Sequence, residues 1–104
     1  MTSSPDEPLY LVAIIKPRME LAAEAEFHLR NLMAGTRNEP GNVYMELVVS
    51  DTEPETWFMF EKFRSREDWD DHMKTDHVTH GNAALAGLLR EPTELRFYTE
   101  KPVS

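Results

Sequence analysis

The stretch WFMFEKF, Trp57 to Phe63, decides the fold. Aromatic residues at this density mark a β-strand. Successive side chains of a strand point to opposite faces, so Trp57, Met59 and Phe63 share one side and Phe58 and Phe60 the other. Both sides are apolar. The segment LYLVAIIK at 9–16 repeats the pattern, with Leu9, Leu11, Ala13 and Ile15 on one side and Tyr10, Val12 and Ile14 on the other. A sheet that leaves one face in water alternates apolar and polar residues. These strands do not, so each face of their sheet needs a cover.

Working outward, residues 20–36 carry Leu21, Ala25, His28, Leu29, Leu32 and Thr36 at helical spacing. Pro40 pushes Glu39 out of the helical region, and Gly41 permits a tight turn. NVYMELVV, 42–49, reads as a second strand, and the short link SDTEPET makes an antiparallel hairpin with 57–63. Ser65 is an N-cap, with Asp68 in the capping-box position, for a helix through Trp69 and His72 to about Lys74. Thr75 or Asp76 caps a second helical piece from His77 to about Leu89. TELRFYT, 93–99, is the last strand. The order β-α-β-β-α-β predicts an α+β, ferredoxin-like fold with a four-stranded antiparallel sheet. The helices cover one face. A second copy is the simplest cover for the other, which predicts a homodimeric α+β barrel. The expected layout is a disordered tail at 1–8, one domain at 9–99 and a C-terminal tail at 100–104.

The 104 residues carry a net charge of −8 and no cysteine. The charge disfavours nucleic acid and anionic membrane surfaces, whose affinity comes from Lys and Arg. Without cysteine there is no disulfide framework and no thiolate chemistry. The N-terminal stretch lacks the features of a signal peptide, and no apolar run has the length of a membrane helix. The expected compartment is the cytoplasm. A neutral, aromatic or apolar small molecule stays open as a partner.

The stretch WDDHMKTDHVTH, 69–80, holds three of the four histidines. His72, Asp76 and His80 fall on one helical face, but i to i+8 spans about 12 Å along the axis, too far for one ion. His77 and His80 lack a third ligand, so no metal is expected. As an acid–base group His72 comes first: it follows Trp69 on a helix whose apolar side can turn it toward the sheet. Glu61 is the lone carboxylate of an aromatic strand. A buried carboxylate needs a partner, and His72 is the candidate, with Glu61 orienting it. A purely structural ion pair is the alternative. His77 can line a pocket mouth or sit in solvent, and His80 is expected to be exposed. His28 is a core or pocket-edge histidine. Tyr44 can offer its hydroxyl to a substrate oxygen. Trp57 and Phe60 can stack an aromatic ligand, or they belong to the core and dimer interface.

TRNEPGNVYMEL at 36–47 and WFMFEKFRSREDWDDHMKTDHV at 57–78 resemble the antibiotic biosynthesis monooxygenase family. The matching positions are Glu39-Pro40-Gly41, Glu61, Phe63, His72 and His77, and the resemblance spans roughly residues 9–99. It implies a dimeric α+β barrel and an oxygenase that uses no flavin, haem or metal. Its implied substrates are small electron-rich aromatics, quinol- or anthrone-like, oxidised with O2. For such a reaction the residues suggest His72 as the base with Glu61 orienting it, and Tyr44, His77, Trp57, Phe60 and His28 around the substrate. Two alternatives remain open: a small-molecule-binding dimer without chemistry, and a cofactor-free isomerase. Haem-degrading members carry an Asn on the first strand, which LYLVAIIK lacks. His72 and Asn82 also stand where those members have a Trp and an axial His, so the haem branch is disfavoured.

Overall fold

The computed structural model describes residues 7–102. The expected N-terminal tail therefore lies mostly outside the described residues, as do 103–104 of the C-terminal one. Strands β1 (Leu9–Ile15), β2 (Asn42–Val49), β3 (Trp57–Phe63) and β4 (Glu94–Thr99) form one antiparallel sheet in the order β2-β3-β1-β4. This is the ferredoxin-like order. A 3-10 turn at Met19–Leu21 leads into α1 (Ala22–Arg37). The second helical region is divided into α2 (Arg66–His72) and α3 (Asp76–Leu85).

The helix starts follow from side-chain caps. Ser65 Oγ accepts from the Asp68 backbone N–H at 3.1 Å, and Thr75 Oγ1 accepts from that of Val78 at 3.4 Å. Each satisfies an N–H that the helix leaves without an internal partner. Helix α3 ends at Leu85, short of the expected end near Leu89. Gly87 takes φ +86°, a left-handed conformation, and reverses the chain there. The reversed segment is tied to the end of β1: Arg18 N–H donates to Leu88 O at 2.8 Å and Arg90 N–H to Lys16 O at 2.9 Å.

Leu9, Leu11, Ala13 and Ile15 of β1 are buried, as are Trp57, Met59, Glu61 and Phe63 of β3. They face α1 and α3, which contribute Ala25, Leu29, Leu32, Val78 and Leu85. Each large apolar side chain buried this way contributes roughly 1.5–3 kcal/mol, so this layer supplies most of the drive to fold. The opposite face keeps its apolar residues partly in water: Phe60 is 42% exposed and Tyr98 48%. Helices α2 and α3 cover β4 only in part, through Trp69 of α2 edge-on to Phe97 at 5.0 Å. Leu95 and Phe97, on its helix-facing side by register with Ala13 and Leu11, stay about 40% exposed (41% and 38%). No helix among the described residues is long and apolar enough to cross a membrane.

Candidate active site

Glu39 sits between α1 and β2. Its backbone N–H donates to Thr36 O at 2.9 Å, and its carbonyl accepts from Asn42 N–H at 3.1 Å. Pro40 stops the helix, so this turn is fixed on both sides and aims the Glu39 side chain at the far helices. His72, the last residue of α2, is 4% exposed, and its ring lies 5.0 Å from that of Phe63. Its carbonyl accepts from Thr75 Oγ1 at 2.7 Å. His77 stands in the first turn of α3, against Gly35 of α1. A Cβ on Gly35 would meet the His77 ring at 2.6 Å, so only glycine allows this approach.

The three side chains meet on one atom. Glu39 Oε2 lies 2.8 Å from His72 Nδ1 and 2.5 Å from His77 Nε2. A carboxylate only accepts, so both ring nitrogens facing it carry their protons. In a neutral imidazole this leaves His72 Nε2 as the acceptor, the tautomer a general base needs.

His72 also lines a cavity of about 280 Å³ between helices and sheet. Its walls are mostly apolar, with Leu11, Met45 and Met59 from the sheet and Leu29, Leu32 and Val78 from the helices. The polar residues at its boundary are Glu61, Trp69, His72, Asn82 and Thr93, and Leu95 of β4 lies at the side the helices leave open. Of these boundary residues, Glu61 Oε1 and Trp69 Nε1 are closed off from solvent without a hydrogen-bond partner. Burial, with the negative Glu39 close by, pushes the Glu61 carboxyl up from 4.5 to about 8. Near neutral pH it therefore holds its proton.

The expected site residues divide. His72 and Glu61 face the same cavity, but the partner of His72 is Glu39, not Glu61, which is left with an unpaired oxygen. His77 joins through the same Glu39 oxygen rather than at the cavity wall. Tyr44 and Phe60 lie on the opposite sheet face, by register with Lys62 and with Val12 and Glu46 respectively, away from the cavity. Trp57 is buried on the helix side, yet it does not line the cavity, and its indole N–H donates to Pro54 O at 3.1 Å. His28 lies in a separate groove with His77 and His80. Glu39 was visible only as part of Glu-Pro-Gly. The signal for its role is a carboxylate held rigidly in a turn facing a helix rich in histidine. Trp69 was visible as an apolar helix residue, with no signal for an unpaired N–H.

Glu39, His72 and His77 bring a carboxylate and two imidazoles together, with ligand atoms within 4.8 Å of one another. That donor set suits a divalent transition metal. Bonds of about 2.1 Å in a tetrahedral site hold donors roughly 3.4 Å apart. Separations of 2.8 and 2.5 Å are hydrogen-bond spacings, with a shared carboxylate oxygen where an ion would sit. As the side chains stand, two N–H donors meet on one carboxylate oxygen.

Residues 8–84 match the family model described as antibiotic biosynthesis monooxygenase. An uncharacterized protein of Synechocystis sp. is 25% identical over 93 residues, covering 89% of this chain; the chain spans 63% of that relative's length. A conserved Methanosarcina mazei protein superposes with TM-score 0.88 at 23% identity, covering 93% of this chain and 96% of that one. A Mycobacterium tuberculosis protein does so with TM-score 0.84 at 25% identity, over 93% and 96%. A Caulobacter crescentus protein, provisionally named an antibiotic biosynthesis monooxygenase, has TM-score 0.88 at 24% identity, over 94% and 93%. The structural likenesses carry the fold, and the sequence match carries the family: the chain belongs to the antibiotic biosynthesis monooxygenase family.

Proposed function

We propose that this protein oxidises small quinol- or anthrone-like aromatics with O2, with His72 as the base. The observation that supports this most is the His72 ring at the wall of an apolar cavity, its Nδ1 held by Glu39. With Nδ1 committed, Nε2 is free to take a proton from a bound phenol or an acidic ring CH. The resulting anion is electron-rich enough to pass one electron to O2. The radical pair combines to form a C–O bond, giving a peroxide. Loss of water breaks the O–O bond and leaves a new carbonyl. One oxygen atom enters the product, the other leaves as water, and the substrate supplies the electrons. The protein's part is to exclude water, hold the ring and remove the proton. Glu39 and His77 act through His72, by fixing its tautomer.

A homodimer completes the reading. The outer sheet face presents Val12, Ile14, Phe58 and Phe60 in cross-strand register, with Tyr10, Tyr44 and Tyr98 beyond them. A patch of this kind in water favours self-association.

The test is turnover of anthrone in an oxygen electrode, under ¹⁸O2. The expected result is O2 uptake matched to quinone formation, with one labelled oxygen per product. Proton exchange from the ring without O2 uptake would instead support an isomerase, and saturable binding without turnover a binding protein.

A further inference from the structure

Glu39, His72 and His77 come from three parts of the chain, and sequence spacing alone offers His77 no third ligand. The fold supplies it. The turn after α1 aims the Glu39 carboxylate at the helices, with its Oε2 2.8 Å from His72 Nδ1 and 2.5 Å from His77 Nε2. The three ligand atoms all lie within 4.8 Å of one another. Thr75 fixes the spacing of the two imidazoles. Its Oγ1 donates to His72 O at 2.7 Å and accepts from Val78 N–H at 3.4 Å, tying the end of α2 to the start of α3. The Glu39 side chain is 14% exposed, and among the described residues its ion-pair partners are these two histidines, with no Lys or Arg. A buried carboxylate calls for a positive charge beside it, and neutral imidazoles bring none.

We infer that Glu39, His72 and His77 form a site for one divalent transition-metal ion, and that the bound ion takes His72 out of the base role. Two imidazoles and a carboxylate suit borderline ions such as Zn2+, whereas Mg2+ and Ca2+ favour oxygen ligands. Three protein ligands leave a fourth tetrahedral position to water. Donors around such an ion stand roughly 3.4 Å apart, so the two N···O gaps must widen by about 0.6 and 0.9 Å. His77 has the room to move. Its side chain is 27% exposed and borders an outer groove lined by His28, Asn31 and His80. The ring can turn outward there, and the same groove is the ion's way in.

The consequence for His72 follows from where its one ring proton sits. With Glu39 as partner, Nδ1 carries the proton and Nε2 is bare. An ion on Nδ1 needs that lone pair, so the proton relocates to Nε2. The ring stays neutral, and the nitrogen proposed to take the substrate's proton is blocked. The metal is an inhibitor here, not a cofactor. This second half rests on reading His72 as the base; the binding half does not.

The experiment is calorimetric titration of ZnCl2, and separately of MgCl2, into metal-stripped protein without a polyhistidine tag at pH 7. Anthrone turnover is measured at each zinc level. Wild-type protein is expected to bind one Zn2+ per chain with micromolar or tighter Kd, and Mg2+ not measurably. Glu39→Gln and His77→Gln are each expected to weaken zinc binding at least tenfold, a loss that even outer-shell changes produce. Both keep a polar side chain, and circular dichroism checks that they fold. His80→Ala, in the groove but outside the three ligands, is expected to bind as wild type. Saturating zinc is expected to lower wild-type turnover at least tenfold, with recovery on adding EDTA. Four results overturn the site: no stoichiometric zinc binding, Mg2+ bound as tightly, wild-type affinity in both ligand variants, or zinc lost in His80→Ala alone. Full turnover with zinc bound overturns the block on His72. Protein that binds zinc through these residues yet consumes no O2 removes the proposed reaction and leaves the site standing.

Discussion

Glu61→Gln should make the protein more stable, by an amount that depends on pH. The Glu61 carboxyl is raised from 4.5 to about 8 by burial and by the Glu39 charge. Between those values the native state holds a proton that the unfolded chain has lost. Stability of the wild type therefore falls as pH climbs through that window and levels off above about 8. One unit of pKa is worth about 1.4 kcal/mol, so at pH 7 the cost is about 3 kcal/mol, and at pH 5 under about 1 kcal/mol. Glutamine has nearly the same shape and is neutral in both states, so it escapes this cost. Other titrating groups are common to both proteins and cancel in the difference. For a domain of this size about 3 kcal/mol corresponds to a Tm gain of more than about 10 °C. The assay is urea unfolding of both proteins, at one protein concentration, at pH 5, 7 and 9. The stability gain should be small at the first pH, clear at the second and largest at the third. A variant less stable at pH 7, or a gain that does not change with pH, refutes the reasoning.

Four further outcomes follow from the same geometry. Glu39→Gln should lower turnover at least tenfold while leaving anaerobic anthrone binding within a few-fold, because it removes the charge that holds the His72 ring without touching the cavity wall; steady-state kinetics beside calorimetry checks this. Gly35→Ala should destabilise the fold by about 1–3 kcal/mol despite the better helix former, since its Cβ would meet the His77 ring at 2.6 Å; thermal melting measures it. Ser65→Ala should cost about 1 kcal/mol through the lost cap on Asp68 N–H, read by urea unfolding. Phe60→Glu, on the outer sheet face, should shift sedimentation toward the monomer; a chain that is monomeric as wild type refutes the proposed dimer.

Much of the fold was legible because strands have a period of two. Alternation put Leu9, Leu11, Ala13 and Ile15 together, and Trp57, Met59 and Phe63 together, and these are the buried sets. The caps at Ser65 and Thr75 were legible because short polar side chains before apolar runs have a mechanical role. The site was harder. Alternation already forbids Phe60 and Glu61 from facing one cavity, since they are neighbours in a strand. It does not say which face has helices, and so it left Tyr44 and Phe60, which lie on the face opposite the cavity, among the candidates. Pairing His72 with Glu61 followed from the rule that a buried carboxylate needs a partner. The rule holds for the residue but does not name the partner. Glu39 reaches His72 across 33 residues of sequence from a turn whose direction no periodicity encodes. Glu61 meets its burial in another way, by keeping its proton.

The central claim is that His72 takes a proton from the bound aromatic. The most direct measurement is kcat for anthrone oxidation in His72→Ala, with and without added imidazole. The account predicts a fall of about 10²-fold or more, partly restored by imidazole that enters the vacated space. A rate equal to that of the wild type contradicts it.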